Sequence, residues 1–496
     1  MQREHILHRI KRICLDNPGK RAIVSSTGSI SFGALWRESD ILARRINEIR
    51  QDNEPIIVYG SKSPAMIVSF LACAKAGHAY CPIDVSMPKN RISDIMDTIG
   101  EPLVIATEIF PIDTDNLINV DHKYNLSISG CQVADINEKS WINKDDTIYI
   151  IFTSGSTGKP KGVEISADNL SSFAEWSGEM FPGDMPILNQ AAFSFDLSVM
   201  DLYSALTTGS TLCCTDKTMQ HNITATIDYI KSCEVGYIVS TPSFANTLLA
   251  EPSFNSENLP NLKGFRFCGE KLTERTARAI FRAFPDISII NTYGPTECTV
   301  AVTGVEITRD MINSEHGIPI GRPKPGCQIS FDNGEIIISG DTVGKGYYRN
   351  AEKTAQSFFV NEEDLCSYRT GDIGYEADGL LYFSGRADSQ IKLNGYRIEL
   401  QDIEANLEEL DEISEAVVLA KRKNDAIRYL VAIVVLSDAE DVPKSKGESF
   451  DRALKIRNAL SEKLPAYMIP KIVTFIDRMP LNANCKIDRK RLEELI

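Results

Sequence analysis

The 496-residue sequence lacks any stretch near the roughly 18 consecutive apolar residues that a membrane-spanning helix needs. One of its longest apolar runs, Tyr429–Leu436, has the length of a buried strand. Residues 1–17 mix charges among their apolar positions, so the uninterrupted apolar segment of a signal peptide is missing. We therefore expect a cytoplasmic protein without membrane insertion.

The sequence also lacks the common patterns of metal and disulfide frameworks. Its 12 cysteines are scattered without a CxxC pair, and its 6 histidines are dispersed, so we expect reduced thiols and no zinc site. A net charge of -15 argues against nucleic-acid binding. The acidic balance is uneven, because residues 416–496 carry 16 basic and 11 acidic side chains, a net of +5.

Strand-like apolar runs alternate with helical spacing over most of the chain. Pro55–Tyr59 and Ala79–Ile83 are predicted strands, and Ser63–Ala76 between them has helical spacing. Such alternation predicts parallel sheets covered by helices. From about Ile329 the pattern changes to short strands with glycine turns, and the Asn333-Gly334 pair predicts a hairpin in a small antiparallel region.

The last hundred residues form a separate pattern. We predict an acidic helix over 398–410, a polar linker over 437–449, and a helix over 452–464. Three strands are predicted around these helices, at 415–420, 429–436 and 472–475. The chain is thus predicted to be α/β, with a large N-terminal domain, 1–387, and a small α+β C-terminal domain, 388–496.

A candidate phosphate loop follows the apolar strand Ile148–Phe152. The segment Thr153–Gly162 (TSGSTGKPKG) has three glycines that let backbone N–H groups turn toward an anion, and two lysines. It is not a Walker A loop, because Thr153 replaces a glycine and Pro160 follows the first lysine. A plain surface turn is the alternative, but the buried strand and the lysines favour phosphate binding.

This loop closely resembles the signature loop of the adenylate-forming superfamily, which includes acyl-CoA synthetases, luciferases and amino-acid adenylation domains. Five further segments are similar to superfamily motifs and follow in the same order: Asn291–Glu297, Tyr368–Asp372, Gly385–Lys392, Gly395–Glu399 and Asn482–Lys486. The resemblance covers nearly the whole chain. It implies a reaction in which a carboxylate attacks the α-phosphate of ATP, releasing pyrophosphate, and a thiol then displaces AMP.

The resemblance also implies residue roles. The implied ATP-binding residues are Thr153, Ser154, Asn291, Thr292, Tyr293, Gly294, Pro295, Thr296, Asp372, Phe383, Ser384, Gly385, Arg386 and Lys486. Among them Lys486 is the implied catalytic lysine, although Cys485 stands where the superfamily usually has glycine. Glu297 is the implied Mg2+ ligand, Asp372 the ribose ligand and Asp388 the hinge. The alternatives are a surface lysine, a helix-start glutamate and an aspartate in a turn.

Asp196 indicates the kind of substrate. Its segment, Phe195–Ser198 (FDLS), resembles the amino-acid-activating branch, where this aspartate pairs with the α-ammonium. The alternative is a helix N-cap, which is compatible with that role. Longer segments resemble members that activate D-alanine, in which residues matching Cys268 and Val300 line a small pocket for the substrate.

The preferred hypothesis is therefore a D-alanine activator that uses ATP and Mg2+. Because the sequence ends shortly after Lys486, we expect it to load a separate, acidic, phosphopantetheinylated carrier protein, for D-alanylation of lipoteichoic acid. The alternative is a stand-alone adenylation enzyme for another small amino acid in peptide biosynthesis. A third hypothesis, a nucleotide-binding scaffold without catalysis, is disfavoured because Lys486, Glu297 and Asp372 are all present.

Overall fold

The structure, a computed structural model, describes residues 3–120, 136–155, 158–387, 390–423, 426–438, 443, 445–480 and 487–494. The chain divides into two compact units. The larger unit comprises Met1–Val85, Ile99–Phe152 and Gly162–Ala387, and the smaller unit comprises Ser86–Thr98, Thr153–Lys161 and Asp388–Ile496. The domain boundary at 387/388 stays a prediction, since two earlier segments also group with the smaller unit.

The larger unit contains a nine-stranded sheet. Its spatial order is β15 (Arg322–Pro323), β14 (Thr303–Glu306), β13 (Ser288–Tyr293), β12 (Gly264–Phe267), β11 (Tyr237–Ser240), β9 (Ile187–Asn189), β10 (Leu212–Cys214), β1 (Arg21–Ser25) and β2 (Gly28–Ser31). The strands from β13 to β1 are parallel, and both edges of the sheet are antiparallel. Parallel pairing requires crossover helices, as the alternating sequence pattern predicted.

A seven-stranded sheet has the order β18 (Gly346–Tyr347), β8 (Lys161–Ser166), β7 (Thr147–Thr153), β4 (Tyr80–Ile83), β3 (Ile56–Tyr59), β5 (Val104–Ala106) and β6 (Leu117–Asn119). Strands β7, β4, β3, β5 and β6 are parallel. The helices of this unit are α1 (Ile6–Asp16), α2 (Phe32–Ile49), α3 (Pro64–Lys75), α5 (Ala167–Gly178), α6 (Leu197–Thr208), α7 (Lys217–His221), α8 (Ile223–Ser232), α9 (Pro242–Leu249), α10 (Glu274–Ala283) and α11 (Ala351–Ser357). Helix α3 is buried along its whole length, which explains why it is apolar on every face.

The antiparallel region also lies in the larger unit. Its strands are β16 (Cys327–Asp332), β17 (Glu335–Gly340), β20 (Cys366–Ala377), β19 (Phe358–Val360) and β21 (Leu380–Arg386). The predicted hairpin joins β16 to β17, and Asn333 and Gly334 adopt φ values of 52° and 87°. Both angles are left-handed, as a two-residue type I′ turn requires, which confirms the prediction.

The smaller unit is α+β. Its strands are β22 (Gln390–Leu393), β23 (Tyr396–Glu399), β24 (Ile413–Lys423), β25 (Ala426–Leu436) and β26 (Ile472–Phe475), and its helices are α4 (Lys89–Ile99, all but its last residue), α12 (Leu400–Glu408), α13 (Lys446–Ser461) and α14 (Arg489–Glu493). Strands β24 and β25 are antiparallel, and β26 is parallel to β25. A core of aliphatic side chains from α12, α13 and this sheet holds the unit together.

Two of the predictions for this unit are wrong in their bounds. The acidic helix begins at Leu400 rather than 398, because Ile398 and Glu399 pair within the β22–β23 hairpin. The helix predicted from 452 begins at Lys446, since the Ser445 hydroxyl accepts a hydrogen bond from the Glu448 N–H and caps it. The predicted polar linker 437–449 is thus partly helical.

Two further expectations concern the cysteines and the helices of the described residues. The ten cysteines among them are free thiols, as predicted. None of their helices combines the length and the apolar composition that a membrane crossing requires.

Candidate active site

The first group of predicted site residues lies where β13 ends. Residues 291–293 are its last three, and Gly294 then turns the chain back on itself, with the Val302 N–H donating to the Tyr293 carbonyl at 2.8 Å. A β-carbon on Gly294 would lie 2.6 Å from the Ala301 Cα. Because real β-carbons do not approach backbone so closely, this turn requires glycine.

The chain continues through Pro295 into a short 3-10 turn, Thr296–Cys298, that carries the predicted metal ligand. Glu297 is fully buried, and its Oε1 accepts a hydrogen bond of 2.8 Å from the Tyr347 hydroxyl. The Glu297 carbonyl also accepts from the Gly344 N–H at 2.8 Å. Backbone and side chain of this glutamate are therefore both fixed.

The donor set at Glu297 suits a magnesium ion that is shared with phosphates. Mg2+ prefers oxygen ligands and commonly takes only one or two protein carboxylates, with water and substrate phosphates completing its shell. Within the described residues, no group of three or more His, Cys, Asp or Glu side chains could hold a metal ion. A single carboxylate oriented by a tyrosine fits the phosphate-bridged arrangement rather than an all-protein metal cage.

The next two residues have unusual backbone angles. Thr299 and Val300 adopt φ values of 58° and 70°, the left-handed region that β-branched residues rarely occupy. The Thr299 hydroxyl donates to the Thr342 carbonyl at 2.8 Å, and the Ala301 N–H donates to the Thr299 carbonyl at 2.8 Å. Such strained backbone clusters at ligand sites and is held by its surroundings, so it supports a functional interpretation of this turn.

The structure brings together the two predicted pocket residues, Cys268 and Val300. Cys268 follows strand β12 and is 3% exposed, and Val300 is 1% exposed. The Cys268 thiol donates to the Val300 carbonyl at 3.5 Å. The left-handed turn at Val300 therefore sets where the carbonyl that accepts from Cys268 lies.

Asp196 lies directly before helix α6 and is half-buried. It occupies the N-cap position, yet its side chain makes no capping hydrogen bond, so the capping interpretation is wrong in that respect. Its Oδ2 instead accepts a hydrogen bond of 2.7 Å from the Thr296 hydroxyl. The predicted ammonium ligand thus contacts a predicted nucleotide-binding residue.

The predicted ribose ligand, Asp372, is 4% exposed on strand β20. Its Oδ2 accepts from the Tyr293 hydroxyl at 2.6 Å, and its Oδ1 accepts from Arg386 Nη1 at 2.5 Å. Burial and the adjacent Asp372 carboxylate raise the pKa of Tyr293 well above its usual value, so its phenol stays protonated and donates.

Strand β21 carries the other predicted residues of this group. Arg386 reaches Asp372 because the two residues are directly paired across strands β20 and β21. The ring of Phe383 lies 6.3 Å from that of Tyr293, whereas Ser384 is exposed. Gly385 pairs with Ile373, and a β-carbon on it would meet nothing within 4 Å.

The remaining predicted residues fall outside this group. Thr153 and Ser154 belong to the smaller unit. The Thr153 hydroxyl donates to the Lys161 carbonyl at 3.5 Å. Lys486 and Asp388 lie outside the described residues, so their roles stay predictions.

Sequence reasoning missed Tyr347, whose hydroxyl holds Glu297, because no motif marks it. The hydrogen bonding of the Asn291 side chain could not be predicted from the sequence either. The Asn291 amide donates to the Pro319 carbonyl at 2.7 Å, but its buried Oδ1 has no hydrogen-bond partner among the described residues. Buried acceptors are nearly always paired, so this atom is suited to a donor group from a ligand.

Comparisons with known proteins show which sequences this chain is similar to. The profile of the AMP-binding enzyme family matches residues 10–348, and that of the AMP-binding enzyme C-terminal domain matches residues 402–486. A D-alanine–D-alanyl carrier protein ligase of Bacillus licheniformis is 43% identical over 504 residues, covering 99% of both chains. A protein of the same name from Listeria innocua is 43% identical over 494 residues, covering 93% of both chains.

Solved structures share the fold. The adenylation domain AlmE of Vibrio cholerae, in complex with glycyl-adenosine-5'-phosphate, superposes with a TM-score of 0.82 at 21% identity, over 100% of this chain and 98% of that one. The o-succinylbenzoate CoA synthetase MenE of Bacillus subtilis gives a TM-score of 0.83 at 19% identity, over 99% of both chains. At these identities the likeness concerns the fold alone.

Proposed function

The chain belongs to the AMP-binding enzyme family, and on that basis we propose that it activates D-alanine with ATP and transfers it to a carrier-protein thiol. The relatives in Bacillus licheniformis and Listeria innocua, similar over nearly their whole length, support this assignment. The proposal comprises D-alanyl-AMP formation with release of pyrophosphate, followed by attack of a phosphopantetheine thiol that displaces AMP.

The observation that carries the proposal is the contact between Asp196 and Thr296. The two side chains lie 2.7 Å apart, Oδ2 to Oγ1, although 100 residues separate them in the chain. An amino acid bound by its ammonium at Asp196 would have its carboxylate two bonds away, close to Thr296. If Thr296 binds the α-phosphate, the nucleophile and the phosphorus are neighbours, which is the arrangement that adenylate formation needs.

On the nucleotide side, Asp372 is the proposed ribose ligand. An ionised carboxylate offers about four lone-pair positions, and Tyr293 and Arg386 use two of them. Two acceptor positions remain for the two ribose hydroxyls. The unpartnered Asn291 Oδ1 is a suitable acceptor for the adenine amino group.

The same proposal gives roles to the other residues in this part of the larger unit. Tyr293 and Phe383 form the aromatic part of the adenine site, supported by the short distance between their rings. The other proposed neighbours of the nucleotide are Thr292, Gly294, Pro295, Ser384, Gly385 and Arg386. Of these, Arg386 carries the positive charge that favours a nucleotide.

Three groups of residues interact with the phosphates in this proposal. Glu297 holds Mg2+, which neutralises phosphate charge when bound. Thr153 and Ser154, with the rest of the glycine-rich loop, bind the phosphates beyond the α position. Lys486 stabilises the negative charge of the transition state, in a small C-terminal domain, 388–496, that moves about Asp388 relative to residues 1–387.

Substrate selection is assigned to Asp196 together with Cys268 and Val300. The thiol donates to the Val300 carbonyl, and both residues are nearly fully buried, which suits a small substituent such as a methyl group. The Asp196 carboxylate, half-buried beside Thr296, suits an ammonium ligand through a charge-assisted hydrogen bond. A small amino acid therefore fits the site better than a fatty acid does.

The proposed partner is a separate acidic carrier protein with a phosphopantetheine arm. Residues 416–496 have a net charge of +5 in a chain whose total is -15, which suits an acidic partner. The proposed setting is the cytoplasm, where ATP is available, with the D-alanyl group passing on to lipoteichoic acid.

ATP–pyrophosphate exchange with a panel of amino acids tests the activation step. We expect D-alanine to support exchange best, with L-alanine, glycine and D-serine weaker. If another small amino acid supports exchange best, that amino acid replaces D-alanine as the proposed substrate. An absence of exchange with every amino acid would contradict the proposed reaction.

A further inference from the structure

The smaller unit contains the glycine-rich loop together with helices α4 and α12, and a buried ion pair connects them. Arg91 of α4 donates from Nη1 to the Gly158 carbonyl at 2.8 Å and from Nη2 to Asp402 Oδ2 at 2.9 Å. Arg91 is 5% exposed and Asp402 of α12 is fully buried. One guanidinium thus joins a carbonyl of the loop to a carboxylate of the helix.

The loop also lies close to helix α12, where a β-carbon on Gly158 would be 3.5 Å from the Ala405 Cβ. Burial raises the pKa of Asp402, whereas Arg91 and the Gly155 backbone oppose that rise. The Asn406 side chain donates to Asp402 Oδ1 at 3.1 Å and orients it. The carboxylate that binds Arg91 is thus itself held in place.

Ser154 provides independent evidence that the loop is engaged within the smaller unit. Its hydroxyl donates to the Arg397 carbonyl at 3.2 Å and accepts from the Glu399 N–H at 3.2 Å. The single hydroxyl proton and one lone pair are thus in use. Arg397 and Glu399 lie on β23, directly before α12, so Ser154 is held by β23 and Gly158 is connected to α12 through Arg91.

Stability alone is a weak explanation for this ion pair. Burying two charges costs several kcal/mol of desolvation, and apolar replacements of buried pairs are often as stable. Asp402 and Arg91 instead fix a loop whose glycines would otherwise allow many conformations. The loop is also the segment whose conformation matters for the proposed reaction.

We propose that Asp402, together with Arg91, is a positioning residue that holds the glycine-rich loop on helix α12, and that a nucleoside triphosphate must displace this contact before the loop binds its outer phosphates. We call the contacts of Arg91, Asp402, Ser154 and Gly158 the loop anchor. The inference rests on the proposed ATP-dependent function. It adds that the loop anchor and the triphosphate compete for the glycine-rich loop. The Ser154 hydroxyl cannot donate to a phosphate while it donates to the Arg397 carbonyl.

The competition has a specific consequence. Asp402→Asn keeps the size of the side chain but removes its negative charge, so the anchor becomes the weaker competitor. Binding of a triphosphate should therefore become tighter, whereas loss of a merely structural residue would weaken it. AMP lacks the outer phosphates, so its affinity should not change.

The experiment measures dissociation constants calorimetrically for the Mg2+ complex of α,β-methylene-ATP, which cannot be cleaved at the α-phosphate, and for AMP. We expect Asp402→Asn to bind the triphosphate analogue about three- to tenfold more tightly. The substitution removes one hydrogen bond between two charged groups in the anchor, and the amide oxygen of asparagine replaces that bond only in part. The affinity for AMP should stay as in the unmodified protein. The KM for ATP in pyrophosphate exchange should fall by a similar factor without a matching loss of kcat.

Asp97→Asn is the matched control, because Asp97 is an exposed aspartate on the same helix as Arg91. Its affinities should equal those of the unmodified protein. Arg91→Lys gives a second route to the same result if Asp402→Asn has a lowered melting temperature. Lysine keeps the positive charge but has a single ammonium, which cannot reproduce the guanidinium fork that joins Gly158 to Asp402.

Unchanged or weaker binding of the triphosphate analogue by both Asp402→Asn and Arg91→Lys would overturn the loop anchor as a competitor. Equal tightening of the analogue and AMP would also overturn it, since the outer phosphates would then be irrelevant. The binding assay needs no amino acid, so a substrate other than D-alanine would overturn that part of the proposed function alone. Failure of the unmodified protein to bind the analogue would overturn both.

Discussion

Asp372→Asn is the most informative change on the nucleotide side of the site. Tyr293 and Arg386 occupy two of the roughly four lone-pair positions of this carboxylate, which leaves two for ribose. An asparagine has only one acceptor oxygen and adds an N–H donor, so at least one ribose bond is lost. A hydrogen bond to a charged group contributes about 1.5–3 kcal/mol, so the KM for ATP should rise about tenfold to 150-fold.

The assay is ATP–pyrophosphate exchange at saturating D-alanine, with ATP and with 2′-deoxy-ATP. The unmodified protein should prefer ATP, and Asp372→Asn should discriminate less between the two because the ribose ligand is altered. Asp378→Asn, in the turn between β20 and β21, is the control, since Asp378 is exposed and should leave both KM values unchanged. An unchanged KM for ATP, or undiminished discrimination in Asp372→Asn, would refute the ribose assignment.

Three further predictions test the amino-acid site and the stability of the larger unit. Asp196→Ala should raise the amino-acid KM about tenfold to 150-fold with ATP affinity unchanged, because a charge-assisted hydrogen bond to the ammonium is lost; an unaltered KM would remove its assigned role. Cys268→Ala should raise kcat/KM for L-alanine about tenfold to two-hundredfold with little change for D-alanine, because space for about one methyl group opens. If the ratio of the two enantiomers in pyrophosphate exchange stays constant, the thiol does not discriminate between them. Burial opposes ionisation of Asp341, but the ammonium of Lys324 at 2.8 Å outweighs burial and lowers the pKa of Asp341 below the ordinary 3.8. The ionised carboxylate therefore stabilises the fold fully above pH 3.8, and this stabilisation is lost as the pH falls through the lowered pKa. In urea titrations below pH 3.8, Asp341→Asn should therefore lose less free energy of unfolding than the unmodified protein, and an equal loss would contradict this linkage.

Features with a local cause could be predicted from the sequence. The Asn333-Gly334 turn follows from two adjacent residues that accept left-handed angles, and the structure has both angles. The alternation of strand and helix patterns likewise predicted the parallel sheets. The start of α13 was missed because its first turn, Lys446–Ser449, is polar and contains a glycine, so it has little apolar periodicity.

Features that depend on distant residues could not be predicted. Glu297 and Tyr347 are 50 residues apart, and Arg91 and Asp402 are 311 apart, so no local spacing relates them. The left-handed turn at Val300 even opposes the preference of a β-branched residue, because tertiary contacts impose it. Motifs thus indicated candidate site residues, whereas the partners of those residues required the folded chain.

The central claim is that this protein transfers activated D-alanine to a carrier thiol. Intact-mass measurement of a phosphopantetheinylated D-alanyl carrier protein, incubated with the enzyme, ATP, Mg2+ and D-alanine, tests it most directly. The carrier should gain the mass of one alanyl group, lose it again with hydroxylamine as a thioester does, and gain nothing when its phosphopantetheine is absent. A carrier that stays unloaded with D-alanine, or that is loaded faster with L-alanine, would contradict the account.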